Sequence, residues 1–132
     1  MATLLVVDDD PDILLLLNTR YGARGHEVAV ALTCAEGLSV AALHPPDLIL
    51  LDFRLPQMDG ARFIEILRAD ELTKRIPVIV MSATSPTWVA SRLDSDPLVQ
   101  IIEKPFDFTS LDRMIEDVVV PRPSHNLNAI AP

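Results

Sequence analysis

The sequence predicts an α/β fold, a parallel sheet of five strands with helices on both faces. Three observations predict it. Five short apolar runs recur along the 132 residues, five stretches with apolar residues at helical spacing alternate with them, and the joins are short and rich in Pro, Gly and Asp.

Thr3-Leu4-Leu5-Val6-Val7 is apolar and partly β-branched, as a central strand is, and it stops at Asp8-Asp9-Asp10. A helix begins at once. Asp9 or Asp10 supplies its cap and Pro11 its first position; Ile13, Leu14, Leu17 and Tyr21 share one face, and Gly22 and Gly25 end it. The run from His26 to Ala31 alternates polar and apolar residues, the pattern of an edge strand. Thr33 opens a second helix with a small packing face of Ala35, Leu38, Ala41 and Ala42, and His44-Pro45-Pro46 stops it.

Leu48-Ile49-Leu50-Leu51 reads as a strand buried on both faces and ends at Asp52. Beyond Leu55-Pro56 and Asp59-Gly60, the positions Phe63, Ile64, Leu67 and more weakly Ile66 mark a third helix, with Glu65 and Arg68 on its solvated side. Val78-Ile79-Val80-Met81 is the fourth strand, ending at Ser82. Ser85-Pro86 starts a helix that runs through Trp88, Val89 and Leu93 until Asp96-Pro97 breaks it. The fifth strand extends from Val99 to Ile102. Lys104-Pro105-Phe106 then leads to a last helix, capped near Asp107 or Thr109, with Leu111, Met114, Ile115, Val118 and Val119 on one face.

This division gives one domain over 1–120 and a flexible tail or truncated linker over 121–132, where prolines recur without periodicity. Hydrophobic residues make up 49% of the chain, yet no run approaches the ~20 residues of a membrane span. The first residues lack the basic flank of a secretory signal, so a cytoplasmic home is expected. Cys34 is the only cysteine, which excludes an internal disulfide and a multi-cysteine metal site; it is expected to be a small buried residue. A net charge of -8 repels a phosphate backbone and argues against direct nucleic-acid binding.

Open α/β sheets keep their ligand crevice outside the carboxyl ends of the strands. Four such ends carry polar residues here: Asp8-Asp9, Asp52, Ser82 and Lys104. Each alone has an ordinary structural use, an acidic turn or helix cap for the aspartates, a turn hydroxyl for Ser82 and a surface position for Lys104. Asp10 is read as a cap only. Their joint placement is what points to chemistry. The three histidines, His26, His44 and His125, lack any partner pattern and are read as surface residues.

With Asp8-Asp9, Asp52 followed by Leu55-Pro56 and Asp59-Gly60, Ser82-Ala83 and Lys104-Pro105-Phe106 in this order, the chain resembles the receiver domain of two-component response regulators from Thr3 to about Val120. The resemblance implies a doubly wound, flavodoxin-like sheet of order 2-1-3-4-5. It implies that Asp52 is the phosphoacceptor, that Asp8, Asp9 and Asp52 hold Mg²⁺ with the backbone carbonyl of Arg54, and that Ser82 and Lys104 bind the phosphoryl oxygens. Charge supports these roles: close carboxylate pairs repel by about 4 kcal/mol at an effective dielectric of 20. Three acids less one lysine leave two negative charges, which one Mg²⁺ neutralises.

The implied function is a phosphorelay switch taking its phosphoryl group from a histidine kinase or phosphotransfer protein, assisting its own modification, and altering its protein contacts as a monomer or weak homodimer. The chain is expected to be a stand-alone receiver or a piece of a larger regulator. Two alternatives are an inactive receiver-like scaffold and a Mg²⁺-dependent phosphohydrolase. The second needs an acid two residues after its nucleophile, where this chain has Arg54. Neither G-x-x-x-x-G-K-[ST] nor G-x-G-x-x-G occurs, which disfavours a nucleotide-binding module.

The chain departs from the family pattern at Ile101, three residues before the lysine, where receivers often carry a Tyr or Phe whose rotamer follows the Ser/Thr hydroxyl. A branched aliphatic side chain cannot make that ring movement. Asp94-Ser95-Asp96-Pro97-Leu98 likewise replaces a Gly-Ala type of turn. The departures imply switching that is weaker or differently routed; Trp88 on the fourth helix either covers the core or carries part of the signal, and by the resemblance Arg54 and Thr84 lie where the family tunes access of water to the phosphoryl group.

Overall fold

The computed structural model describes residues 1–119; the expected tail lies outside the described residues. Five strands and five helices alternate. They are β1 (Thr3–Val7), α1 (Pro11–Ala23), β2 (Glu27–Ala31), α2 (Cys34–Leu43), β3 (Leu48–Asp52), α3 (Gly60–Ala69), β4 (Val78–Ser82), α4 (Pro86–Arg92), β5 (Val99–Glu103) and α5 (Phe108–Val119). The strands form one parallel sheet of order β2-β1-β3-β4-β5, as expected.

The central strands are apolar on both faces because helices cover both. Leu5, Val7, Ile49, Leu51 and Val80 point into one core with Phe63 and Leu67 of α3. Leu4, Val6, Leu50 and Met81 point into the other, with Leu17 and Tyr21 of α1 and Leu111 and Ile115 of α5. The first turns are fixed by side-chain caps. Asp10 accepts from the Asp12 N–H, Thr33 from Glu36, Asp59 from Arg62, Ser85 from Trp88 and Asp107 from Ser110.

Four expectations are corrected. Helix α1 passes through Gly22 and ends at Ala23; Gly25, at φ 94, alone takes the left-handed conformation that turns the chain into β2. Helix α2 buries Cys34, Gly37 and Ala41 rather than Ala35, because Gly37 lets it approach β1 most closely. Helix α4 stops at Arg92, with Leu93 already extended, since only Val89 of this helix is buried and little packing prolongs it. Arg68 is not solvated: its Nε meets Asp96 Oδ2 at 2.7 Å and its Nη1 donates to the Ile76 carbonyl, which ties α3 to the entrance of β4.

His26 is also less free than expected, since its Nδ1 accepts from the Ala2 N–H at 3.2 Å. Cys34 is buried and unpaired with another cysteine, and burial pushes its thiol up. A Cβ at Gly37 would lie 2.9 Å from Val7 Cγ2. Gly37→Ala is therefore expected to destabilise by about 1–2 kcal/mol, with overpacking outweighing the gain in helix propensity. Urea unfolding reads it directly; a stabilised variant would show that α2 can shift outward freely.

Candidate functional site

The parallel register pairs Val7 with Leu51, so the next residues of β1 and β3 bring Asp8 beside Asp52 at the carboxyl edge of the sheet. Asp8 is 1% exposed and Asp52 9%, whereas Asp9 turns outward. One carboxylate oxygen from each of the three lies within 4.8 Å of the others. Lys104, just past the end of β5, reaches in from the far side. Its Nζ stands 3.8 Å from Asp8 Oδ2 and 3.6 Å from Asp52 Oδ1.

Local backbone geometry holds these groups in place. Asp8 Oδ1 accepts from the Asp10 N–H at 2.9 Å, and Asp52 Oδ1 from the Arg54 N–H at 3.3 Å. The Lys104 N–H donates to the Ser82 carbonyl at 2.7 Å, which locks β5 to β4 beside the site. Asp8 Oδ2 is buried and has no hydrogen-bond partner. An orphaned carboxylate oxygen between two further acids is the signature of a cation site, and hard divalent ions prefer such all-oxygen donors.

The electrostatics agree. Burial, reinforced by Asp52 and Asp9, raises Asp8 to about 6 against the opposing Asp10 N–H and Lys104. Asp52 is also raised, by burial first, while Lys104 and the Arg54 N–H pull it down. Both groups lack enough positive charge among the described residues to hold two carboxylates in comfort.

The remaining expected residues are near but differently engaged. Ser82 is 2% exposed, and its Oγ accepts from the Thr84 N–H at 3.0 Å. The exposed Arg54 side chain meets Thr84 Oγ1 at 3.5 Å, so the loops after β3 and β4 touch beside Asp52. Phe53 is a residue of the site that no motif in the sequence marks. It is fully buried and meets Trp88 edge-on, and its only signal in the sequence was adjacency to Asp52.

Residues 4–116 match the family model for the response regulator receiver domain. The transcriptional regulatory protein KdpE of Mycobacterium tuberculosis is 40% identical over 103 residues, which cover 78% of this chain and 41% of that protein. The chain thus spans less than half the length of this relative. Among solved structures, the N-terminal domain of a response regulator receiver protein from Methanoculleus marisnigri is similar at 31% identity and a TM-score of 0.67, covering 92% of this chain and 99% of that one. The response regulator TrrA of Thermotoga maritima, solved in complex with Mg(2+)-BeF, matches at 26% identity and a TM-score of 0.76, covering 90% and 100%. No helix among the described residues is long and apolar enough to cross a membrane. By sequence, strand order and the acidic pocket at the sheet edge alike, this chain belongs to the response regulator receiver domain family, the phosphoacceptor switches of two-component signalling.

Proposed function

We propose that Asp52 accepts a phosphoryl group from a phosphohistidine of a histidine kinase or phosphotransfer protein, in a Mg²⁺-dependent reaction in the cytoplasm. The observation that carries this reading is the trio of Asp8, Asp9 and Asp52 within 4.8 Å, with Lys104 against it and Asp8 Oδ2 left without a partner. Asp8, Asp9 and Asp52 would hold the ion, with the Arg54 carbonyl. When bound, Mg²⁺ supplies charge neutralisation and Lewis-acid stabilisation of phosphoryl oxygens.

The chain's own groups do the rest. An Asp52 oxygen forms the new P–O bond as the P–N bond of the donor breaks, and the leaving imidazole keeps its electron pair. Lys104 stabilises charge on an equatorial oxygen, and the Ser82 hydroxyl donates to another after turning from Thr84. The acyl phosphate formed is open to water, whose attack on phosphorus restores the carboxylate and releases inorganic phosphate. The modification is therefore transient, and a protein partner reads it.

Incubation with acetyl phosphate and Mg²⁺, followed by intact-mass measurement, tests the proposal. One labile phosphoryl adduct is expected, absent from Asp52→Asn and from samples stripped of metal. Labelling that persists in Asp52→Asn would place the acceptor elsewhere, and no labelling of the parent chain would leave only a scaffold.

A further inference from the structure

Phe53 follows the proposed phosphoacceptor directly and is pinned on several sides. Its N–H donates to the Met81 carbonyl at 2.9 Å, and its carbonyl accepts from the Gly60 N–H at 2.7 Å. A Cβ on Gly60 would lie 2.8 Å from its ring, so α3 starts in close contact with it. On the open side, the ring faces Trp88 of α4, with centroids 6.0 Å apart and planes at 85°. Trp88 is the only tryptophan of the chain and is 42% exposed.

Arg92, one helical turn further on, lies 5.5 Å above the Trp88 ring and 3.2 Å from Asp59 Oδ2. Asp59 is itself the cap of α3. The outer face of α4 is thus fastened to the β3–α3 loop by a ring contact, a cation over a ring and an exposed ion pair. Each is individually weak, and α4 has little else to hold it, since Val89 is its only buried residue.

The other end of α4 is tied to the site. Ser82 Oγ accepts from Thr84, Thr84 Oγ1 meets Arg54, and Ser85 caps Trp88. Ile101 of β5 is half-buried and packs on the core without a ring that could swing.

We propose that Trp88 and Arg92 form a latch holding α4 to the β3–α3 loop, and that phosphorylation of Asp52 opens it, so that α4 rather than β5 carries the state of the site to the surface. The inference rests on the phosphoacceptor reading. When the Ser82 hydroxyl turns to a phosphoryl oxygen, the Thr84 N–H loses its acceptor and the loop entering α4 must rearrange. A helix anchored by one buried side chain and otherwise by weak contacts yields to that change. Coupling is reciprocal: a latch that opposes the phosphorylated state weakens binding of a phosphoryl mimic, and loosening the latch strengthens it.

The test uses the full chain with Mg²⁺ and beryllium fluoride, followed by Trp88 emission and hydrogen exchange of α4 amides, with acetyl phosphate labelling measured in parallel. Emission is expected to move to longer wavelength as the ring leaves Phe53, and α4 amides to exchange roughly tenfold faster. Arg92→Gln is expected to tighten beryllium fluoride binding about 5-fold without changing Mg²⁺ affinity. Trp88→Leu, titrated calorimetrically, should tighten it similarly. A residue with a merely structural role would lower stability and leave that affinity unmoved. An adduct at Asp52 with unchanged emission, exchange and affinities would overturn the latch and leave the phosphoacceptor reading standing. No adduct and no beryllium fluoride binding would overturn both.

Discussion

Asp8→Asn is expected to raise the stability of the metal-free protein at pH 7 by about 3 kcal/mol, and to abolish most of the stabilisation that Mg²⁺ confers on the parent chain. The figure follows from Asp8 alone, whose carboxyl is pushed up to about 6 in the fold from an ordinary 3.8. A carboxyl raised by folding favours the native state while protonated. Its contribution is fully present below the unfolded value of 3.8 and is lost as pH rises through about 6. At neutral pH the fold therefore carries a buried charge it disfavours.

Asparagine removes that charge without removing the contact that matters locally, because its side-chain oxygen still accepts the Asp10 N–H. Its amide can also donate toward Asp52. Lys104, at 3.6 Å from Asp52, keeps a partner. For a domain of this size the gain corresponds to a rise in Tm on the order of 10 °C. Thermal unfolding in chelator and in excess Mg²⁺ checks both halves: a variant less stable than the parent in chelator would show that Asp8 is not strained in the fold. Asp52 is raised for the same first reason, burial, so metal-free parent protein should lose stability between pH 4 and 6 rather than gain it.

Asp112→Ala is expected to have the opposite effect, a loss of about 2–4 kcal/mol at neutral pH. Asp112 on α5 accepts from Arg20 Nε at 3.0 Å, Arg20 Nη2 at 2.6 Å and the Tyr21 hydroxyl at 2.7 Å, and Arg24 lies 3.6 Å away. Arg20 also stacks over Phe108, at 4.5 Å from the ring centroid. This cluster joins α1 to α5 on one face of the sheet. Tyr21 is 1% exposed, so truncating Asp112 leaves a buried hydroxyl without its acceptor.

The Arg20 hydrogen bonds, with help from Tyr21, hold the Asp112 carboxyl below its ordinary value despite some burial. A depressed carboxyl stabilises the fold above its unfolded pKa, and that stability is lost as pH falls through the folded value. The metal-free protein should thus be most stable near pH 4, weaker at pH 7 through Asp8 and Asp52, and weaker again in stronger acid through Asp112 and Asp96. Tyr21→Phe, which removes one hydrogen bond and keeps the ring, should cost only about 1 kcal/mol. Denaturant midpoints across pH separate these contributions. If Asp112→Ala unfolds at the parent's midpoint, the cluster is an ornament of the surface.

Element order and most boundaries are legible in the residues alone. Alternation of apolar runs with helical faces is a local signal, and Asp10, Thr33, Asp59 and Ser85 cap where their side chains alone can reach orphan N–H groups. The sequence also placed Asp8, Asp52, Ser82 and Lys104 at strand ends, since a strand that stops at a polar residue stops at the edge of the sheet. What it left open depends on neighbours distant in the chain. Gly22 reads as a helix end but is overridden by packing of Leu17 and Tyr21, and Arg68 reads as solvated until Asp96 and the Ile76 carbonyl arrive beside it.

How the site is charged, and to what it is connected, depends on the folded arrangement. The strain on Asp8 arises first from its burial and then from Asp52 beside it, with one lysine shared between the two, a balance set by burial and distances rather than by residue type. The contact of Phe53 with Trp88, and of Arg92 with Asp59, joins residues more than thirty positions apart. No pattern within either segment encodes that meeting, because it is fixed by how closely α4 can settle against the loop after β3.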